Sequence, residues 1–224
     1  MKRRRRMWGK SVFPKLLLAL LAVVFFCAPL VGGNKALADA AEDKFDAFIE
    51  KLTKEGTIRS GGESTYWGDY TDEWAQIGWY QWTRFENAER FVLSANVSWQ
   101  SAHDRPNNFE SGCGIIFNDS GSGSANHILA SLRMDGLIYF TGLRNNYYLS
   151  YGTYRYGKAS TKGSADFTLV VDGDKAIVYV DGERIVTKAN FPMMGDSVGI
   201  CTLSGTNKDY GTRCTWKDIY MYKW

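Results

Sequence analysis

Short alternating runs of apolar and polar residues, separated by turn residues, dominate the second half of the chain. The run DFTLVVDGDKAIVYVDGERIV at residues 166–186 contains three apolar segments divided by two Asp-Gly pairs, Asp172-Gly173 and Asp181-Gly182. Each pair predicts a hairpin, because Asp and Gly tolerate the positive φ angles that tight hairpin turns require. The run therefore predicts a meander of three antiparallel strands.

Further strand-length runs follow one another along most of the chain. The segment RFVLSANVSW at residues 90–99 alternates apolar and polar residues, which is typical of a strand with one buried face. Residues 127–133 and 136–141 are joined through Asp135-Gly136, which predicts another hairpin. Other apolar or aromatic runs lie at residues 112–117, 144–156, 197–203 and 212–222. Many short strands at close spacing predict an all-β sandwich or barrel.

One amphipathic helix is predicted before the strands. Phe45, Phe48, Ile49 and Leu52 are spaced at i, i+3, i+4 and i+7, with acids early in the segment and lysines late. Gly56 is expected to end this helix. We expect the helix to pack on the strand domain, and binding of a partner protein is the alternative.

Residues 1–38 have the features of a secretory signal peptide. Basic residues precede an apolar stretch at residues 16–30, and Ala36-Leu37-Ala38 is a small-x-small cleavage sequence. The apolar stretch is short for a membrane span. We therefore predict a secreted or extracytoplasmic protein, in the periplasm or at the cell surface, and an uncleaved N-terminal anchor is the alternative. The predicted division is a signal peptide at 1–38, a helix and linker at 39–59, and a sandwich domain at 60–224.

The charge balance changes when the predicted signal peptide is set aside. The full chain has 27 Lys and Arg against 24 Asp and Glu, a net charge of +3. Eight of the basic residues and none of the acidic ones lie in residues 1–38, which leaves 19 against 24, a net charge of −5. Phosphate contacts need clustered Lys and Arg on the folded domain, so no nucleic-acid partner is expected.

The predicted exported part contains three cysteines, Cys113, Cys201 and Cys214. Disulfides form in oxidising compartments outside the cytoplasm. Cys201 and Cys214 flank the turn-rich segment SGTNKDYG, and a hairpin there would place them opposite each other at a distance that a disulfide can bridge. We predict this pair, with Cys113 as a small buried apolar residue. Three reduced, buried thiols are the alternative.

The order of these segments is similar to that of a known superfamily. The similarity rests on the SGCGIIF strand at residues 111–117, the hairpins at 172–186, the SVGI strand at 197–200 and the closing WKDIYM segment at 216–221. Over about residues 65–224 the chain resembles the concanavalin A-like lectin/glucanase superfamily, which includes laminin G-like and 3-keto-glycoside-hydrolase-like jelly-roll domains. The resemblance implies an antiparallel two-sheet jelly-roll sandwich, preceded here by a short N-terminal helix. The superfamily includes lectins, carbohydrate-binding modules, adhesion domains and hydrolases, so a function needs its own site.

Catalysis has little support in the sequence. Retaining glucanases of this fold carry two glutamates and an aspartate alternating on one strand, and no Glu-x-Asp-x-x-Glu pattern occurs here. His103 and His127 lack neighbours at zinc-ligand spacing, and no Gly-x-Ser-x-Gly motif is present. A glycoside hydrolase or lyase would need two carboxylates that converge only in the folded chain. The candidates are Asp69, Asp72, Glu73, Glu86, Glu110 and Asp119.

No cofactor is predicted, although calcium is a candidate because laminin G-like and lectin relatives often bind it. Asn118-Asp119 and the segment from Asn207 to Asp209 supply the oxygen ligands that calcium prefers. Neither stretch has a spacing specific for calcium, and Asn and Asp in loops more often stabilise turns.

The strongest indication of binding is the aromatic segment RNNYYLSYGTYRY at residues 144–156. Its five tyrosines alternate with Arg and Asn, which combines flat apolar rings with planar hydrogen-bonding groups suited to sugars. We predict a ligand site formed by Arg144, Asn146, Tyr147, Tyr151 and Tyr154. A surface that binds a protein partner, or an ordinary sheet surface, is the alternative.

The tryptophans between residues 67 and 82 are expected to pack in the core or at an edge, with one of them available to line a groove. The sequence thus predicts an exported, non-catalytic, lectin-like module for a polysaccharide or glycan. A glycoside hydrolase or lyase and an adhesion module that binds a protein partner are the alternatives.

Overall fold

The computed structural model describes residues 28–107, 110–121 and 126–224 of the chain. The predicted signal peptide therefore lies outside the described residues as far as Cys27. Residues from Lys44 to Trp224 form one compact unit, which contains every strand that the structure describes. Among the described residues, no helix combines the length and the apolar character needed to span a membrane.

The described chain contains one helix, α1, and twelve strands. Helix α1 extends from Ala28 to Lys54, so it begins earlier than the predicted helix. The strands are β1 (Glu63–Trp74), β2 (Tyr80–Asn87), β3 (Arg90–Ser101), β4 (Gly112–Asp119), β5 (His127–Arg133), β6 (Leu137–Arg144), β7 (Tyr147–Arg155), β8 (Lys162–Asp172), β9 (Lys175–Val180), β10 (Glu183–Lys188), β11 (Ser197–Leu203) and β12 (Thr212–Lys223).

The strands form two six-stranded antiparallel sheets. Sheet A has the order β1-β12-β3-β8-β9-β10, and sheet B has the order β2-β11-β4-β5-β6-β7. The predicted all-β, two-sheet sandwich is confirmed, and so is the meander β8-β9-β10. Asp181 and Gly182 have φ angles of 51° and 79°, which is the positive-φ geometry that a tight hairpin turn requires.

The core lies between the two sheets. Alternate residues of each strand point into it, as shown by Phe91 and Leu93 on β3 and by Ile115 and Phe117 on β4, all of which are fully buried. Trp216 on β12 is the largest side chain buried there. Burying a large apolar side chain contributes about 1.5–3 kcal/mol, so this alternation accounts for the choice of inner face on each strand.

The C-terminal part of α1 packs on the outer face of sheet A. The Phe45 ring stacks on Tyr220 with 5.2 Å between ring centroids, and Phe48 meets Tyr179 edge to face at 5.1 Å. Leu52 is fully buried. The predicted packing of the helix on the strand domain is thus confirmed, and part of the outer face of sheet A is covered by this helix.

The disulfide joins Cys113 to Cys214, with 5.8 Å between their Cα atoms, so the predicted pairing of Cys201 with Cys214 is wrong. The expected hairpin does not form, because β11 belongs to sheet B and β12 to sheet A. Cys113 and Cys214 both point into the space between the sheets. Cys201 points to the outer face of sheet B, where it is free and buried. The disulfide therefore links the two sheets through the core.

Candidate functional site

A groove of about 700 Å³ runs over the outer face of sheet B. This volume is in the range of ligand-binding clefts. It is surrounded by aromatic, aliphatic and a few polar residues, which come from strands and loops in separate parts of the sequence. The groove is lined by Gly78, Trp79, Tyr80, Trp82, Glu110, Leu129, Arg133, Tyr139, Thr141, Gly142, Leu143, Asn146, Tyr148 and Leu203.

The floor of the groove rests on a small apolar cluster that is separate from the main core. Leu129, Leu203, Cys201 and Ile116 are its buried members, and Tyr80 packs against them. Gly114 makes the packing possible, because a Cβ atom at this position would lie 2.5 Å from Cδ1 of Leu129 and 3.1 Å from Sγ of Cys201. Burial raises the pKa of the Cys201 thiol, so this cysteine behaves as an apolar residue.

Tyr80 is held in place by His127. The Tyr80 hydroxyl and Nε2 of His127 share a hydrogen bond, and the Trp82 ring lies 5.7 Å from the His127 ring, centroid to centroid. Burial raises the pKa of Tyr80 and lowers the pKa of His127, the latter against the opposing charge of Asp119. Both side chains are therefore neutral near pH 7, and one wall of the groove is a fixed, uncharged aromatic group.

An ion pair between β2 and β4 lies beside this wall of the groove. Nε of Arg84 donates to the Asp119 carboxylate at 2.7 Å, and the Asp119 side chain is almost fully buried. A buried carboxylate requires a partner of this kind, since an isolated buried charge is strongly unfavourable. The pair orders β2 against β4 and leaves Asp119 without a role in the groove.

Arg133 supplies a buried positive charge at the groove. Its Nε donates to the Ser131 hydroxyl at 2.6 Å, and its guanidinium carbon lies 5.3 Å from the centre of the Tyr139 ring. The Tyr139 hydroxyl in turn donates to the Asp135 carboxylate at 2.7 Å. Burial together with this hydrogen bond raises the pKa of Tyr139 to about 12. Arg133 and Tyr139 thus present a rigid, preorganised surface.

Two exposed aromatic residues stand at the rim. Trp79 is 66% exposed and Tyr148 is 67% exposed, although both line the groove. Tyr148 follows the turn between β6 and β7, in which Asn145 and Asn146 both have positive φ angles of 52° and 66°. A two-residue turn of this geometry fixes the register of the hairpin and places Tyr148 opposite Leu143. Large exposed rings beside a groove are typical of binding surfaces.

The predicted ligand residues do not all lie together. Asn146 lines the groove, whereas Arg144 and the 75% exposed Tyr147 flank the turn outside it. Tyr151 packs on Phe191 with 5.2 Å between ring centroids, and Tyr154 packs on Phe140 at 6.2 Å, so both point toward the core.

A β-bulge explains this outcome. The pairing of β6 with β7 shifts between Phe140 and Thr141, whose partners are Gly152 and Ser150. Tyr151 is the extra residue, so the alternation of faces changes within β7. Tyr151 and Tyr154, which strict alternation would place on opposite faces, therefore both point toward the core.

Most of the candidate catalytic carboxylates have other structural roles. Of the six candidates, Glu110 alone lines the groove. Glu73 is bound by Arg213, and Glu86 lies 3.3 Å from Nζ of Lys223. Glycoside hydrolysis generally requires a pair of carboxylates on either side of the scissile bond. The described residues lining the groove do not include such a pair.

Three of the calcium candidates take part in ordinary polar contacts. Nδ2 of Asn118 lies 3.3 Å from the Pro192 carbonyl, and the Asn207 side-chain oxygen accepts a hydrogen bond from the Ile77 amide at 2.9 Å. Asp119 belongs to the ion pair with Arg84. Among the described residues, no three His, Cys, Asp or Glu side chains are grouped to hold a metal ion.

No protein-family model matches the chain, and no curated protein matches it. Among solved structures, the carbohydrate-binding module CBM66 from Bacillus subtilis is similar with 10% identity over 70% of this chain and 92% of that chain, at a TM-score of 0.52. Sheep galectin-11 matches with 9% identity over 65% of this chain and 98% of that chain, at 0.42. The fructosyltransferase from A. japonicus matches with 12% identity over 76% of this chain and 28% of that chain, at 0.46.

The chain has a two-sheet, jelly-roll-like β-sandwich fold. The strand order and the similarity to the Bacillus subtilis module agree with the fold implied by the sequence resemblance. At 10% identity, this similarity concerns the fold alone. The groove on sheet B of this jelly roll is the candidate site, and its description rests on the residues of this chain.

Of the groove residues, the sequence indicated Asn146 as a ligand residue and Glu110 as a candidate carboxylate, and it missed most of the others. Trp79 and Trp82 were expected mainly in the core or at an edge, and both line the groove. Tyr148 lines the groove, whereas the predicted ligand residues were Tyr147, Tyr151 and Tyr154. Arg133 ends an apolar strand and carries no local motif.

Proposed function

We propose that this protein is a non-catalytic, lectin-like module that binds a polysaccharide or glycan in the groove of sheet B. The observation that carries the proposal is the pair of exposed rings, Trp79 and Tyr148, at the rim of a groove with a largely apolar floor. The similarity in fold to a carbohydrate-binding module supports it.

The chemistry of the groove suits a sugar ring. The C–H faces of a pyranose are apolar and flat, so they can pack on exposed aromatic rings that lose little conformational entropy on binding. Arg133, Glu110 and Asn146 provide a donor, an acceptor and an amide at the same groove. A few polar groups within an apolar cleft are the usual means by which a ligand is oriented.

The proposed absence of catalysis follows from the same residues. Glu110 has no second carboxylate beside it among the described residues that line the groove. Its carboxylate also accepts a hydrogen bond from Nδ2 of Asn107 at 2.6 Å. A hydrolase would require a partner carboxylate at the bond to be broken.

We also propose that the protein acts outside the cytoplasm. The basic and apolar character of residues 1–38 supports export. The disulfide between Cys113 and Cys214 is compatible with an oxidising compartment.

Binding to a glycan array and to insoluble polysaccharides tests the proposed function. Trp79→Ala and Tyr148→Ala should each weaken binding by at least about tenfold, because a large exposed ring is typically a dominant contact. Tyr147→Ala is the matched control, since Tyr147 is equally exposed but does not line the groove. Absence of binding to every glycan, or equal effects of all three substitutions, would refute the proposal.

A further inference from the structure

The polar groups of the groove are few and partly engaged. Apart from the tyrosine hydroxyls and the indole N–H groups of Trp79 and Trp82, the hydrogen-bonding side chains that line it are those of Glu110, Arg133, Thr141 and Asn146. Nε of Arg133 already donates to Ser131, and Glu110 already accepts from Asn107. The groove therefore offers few hydrogen-bond partners to a ligand that carries a hydroxyl on almost every carbon.

The apolar part of the groove is extensive by comparison. Leu129, Leu143 and Leu203 line it together with five aromatic residues. A hydroxyl placed on this surface would lose its hydrogen bonds to water without replacement, which is unfavourable. A methyl group in the same position would raise the affinity of the ligand for the groove by about fourfold.

We propose that the groove prefers sugars that carry an N-acetyl group at one ring carbon over sugars that carry only hydroxyls. This inference rests on the proposed carbohydrate-binding function. An acetamido group replaces one hydroxyl by a methyl group, which the leucines accommodate, and by one amide. The amide requires one acceptor and one donor, and the Glu110 carboxylate and the Asn146 side chain are of those types.

Charge disfavours the other common substituents. The part of the chain after residue 38 has a net charge of −5, so a polymer of acidic sugars would be repelled at long range. A free amino sugar would be attracted by this net charge and by Glu110, but its ammonium group would have to lose water on a largely apolar surface beside the Arg133 guanidinium. The uncharged acetamido group avoids both costs.

Three hexasaccharides with the same β-1,4 linkage test the inference by isothermal titration calorimetry on the full chain. They are the hexamers of N-acetylglucosamine, glucosamine and glucose, which differ only in the group on one ring carbon. The N-acetylated hexamer should bind at least about tenfold more tightly than the other two, because the gain of about fourfold from the methyl group adds to the avoided cost of desolvating the hydroxyl or ammonium group that it replaces.

A floor variant tests whether the leucines cause the preference. Leu143→Asn should reduce the ratio between the N-acetylated and the glucose hexamers to about threefold or less, because it adds a polar group to the apolar surface. Leu137→Asn is the matched control, since Leu137 lies on the same strand and is also partly buried but does not line the groove. Circular dichroism and the Tm of each variant show whether it folds, and the comparison of hexamers on the unmodified protein does not depend on either variant.

The outcomes separate the inference from the function on which it rests. Equal or tighter binding of the glucose or glucosamine hexamer would overturn the preference and leave glycan binding intact. Binding only to glycans without acetamido groups on the array would do the same. Absence of binding to every glycan would overturn the proposed function itself.

Discussion

Removing the disulfide between Cys113 and Cys214 should destabilise the protein more than any other substitution of a single cysteine. The disulfide joins residues 101 positions apart and links sheet A to sheet B through the core. It therefore closes a long loop in the unfolded chain, so the chain gains less conformational entropy when it unfolds.

The size of the effect follows from the length of that loop. For a loop of about 100 residues, the chain-entropy model gives about 4.7 kcal/mol at 25 °C. Folded domains are typically stable by about 5–15 kcal/mol, so the loss would be a large part of the total. Cys201→Ala breaks no disulfide and removes one small buried group, so a loss of about 1 kcal/mol is expected.

Urea unfolding without reductant measures these free energies. Cys113→Ala and Cys214→Ala should cost similar amounts, and the double variant should cost little more than either one, because each single substitution already opens the same loop. Mass spectrometry of peptides should find the two residues linked. A Cys201→Ala variant that is destabilised as strongly as Cys214→Ala, with Cys113→Ala nearly neutral, would refute the pairing.

Two further predictions concern buried side chains on opposite faces of the sandwich. Burial holds the pKa of His127 below its ordinary value of 6.5, so the unfolded chain takes up the proton more readily and the free energy of unfolding should decrease as the pH falls through 6.5. Thermal unfolding between pH 7 and pH 5 should show a smaller decrease for His127→Gln, and an unchanged slope would contradict this cause. Phe45→Ala should cost about 3 kcal/mol in urea unfolding, because it removes a buried ring that stacks on Tyr220. Glycan affinity measured on the folded variant should stay within twofold, since the groove lies on the other sheet, and a loss of affinity would contradict that separation.

Local turn chemistry made the fold predictable from the sequence. Asp181-Gly182 specifies a hairpin through the positive φ angles of two neighbouring residues, and the strands on either side follow from alternation. The packing of α1 was predictable for a similar reason, since the spacing of Phe45 and Leu52 defines one apolar face. In both cases the information lies within a few neighbouring residues.

The disulfide was not predictable in this way, because it depends on which sheet each strand joins. The turn-rich segment between Cys201 and Cys214 suggests a hairpin, yet the chain crosses there from sheet B to sheet A. Nothing local to that segment distinguishes a hairpin from a crossover. The partner of Cys214 is set by a strand about 100 residues away.

The groove was predictable only in part. A two-residue turn at Asn145-Asn146 would have placed Tyr148 opposite Leu143, on the same face, had that turn been recognised in the sequence. The bulge that lets both Tyr151 and Tyr154 face the core has no such signature, because it depends on the pairing of two strands. Trp79, which precedes β2, and Arg133, on β5, line the same groove only because these two strands join one sheet.

The two outer faces of the sandwich also explain why binding is assigned to sheet B. On sheet A, outward-facing residues such as Val92, Val170 and Tyr179 are buried, and the rings of α1 pack on that side. On sheet B, the Tyr80 side chain packs on the apolar cluster, and Trp79 and Tyr148 remain exposed. A folded domain gains nothing in stability from large exposed rings beside an apolar groove, and it risks nonspecific association. The proposed glycan ligand, packed against those rings, would account for their exposure on the outer face of sheet B.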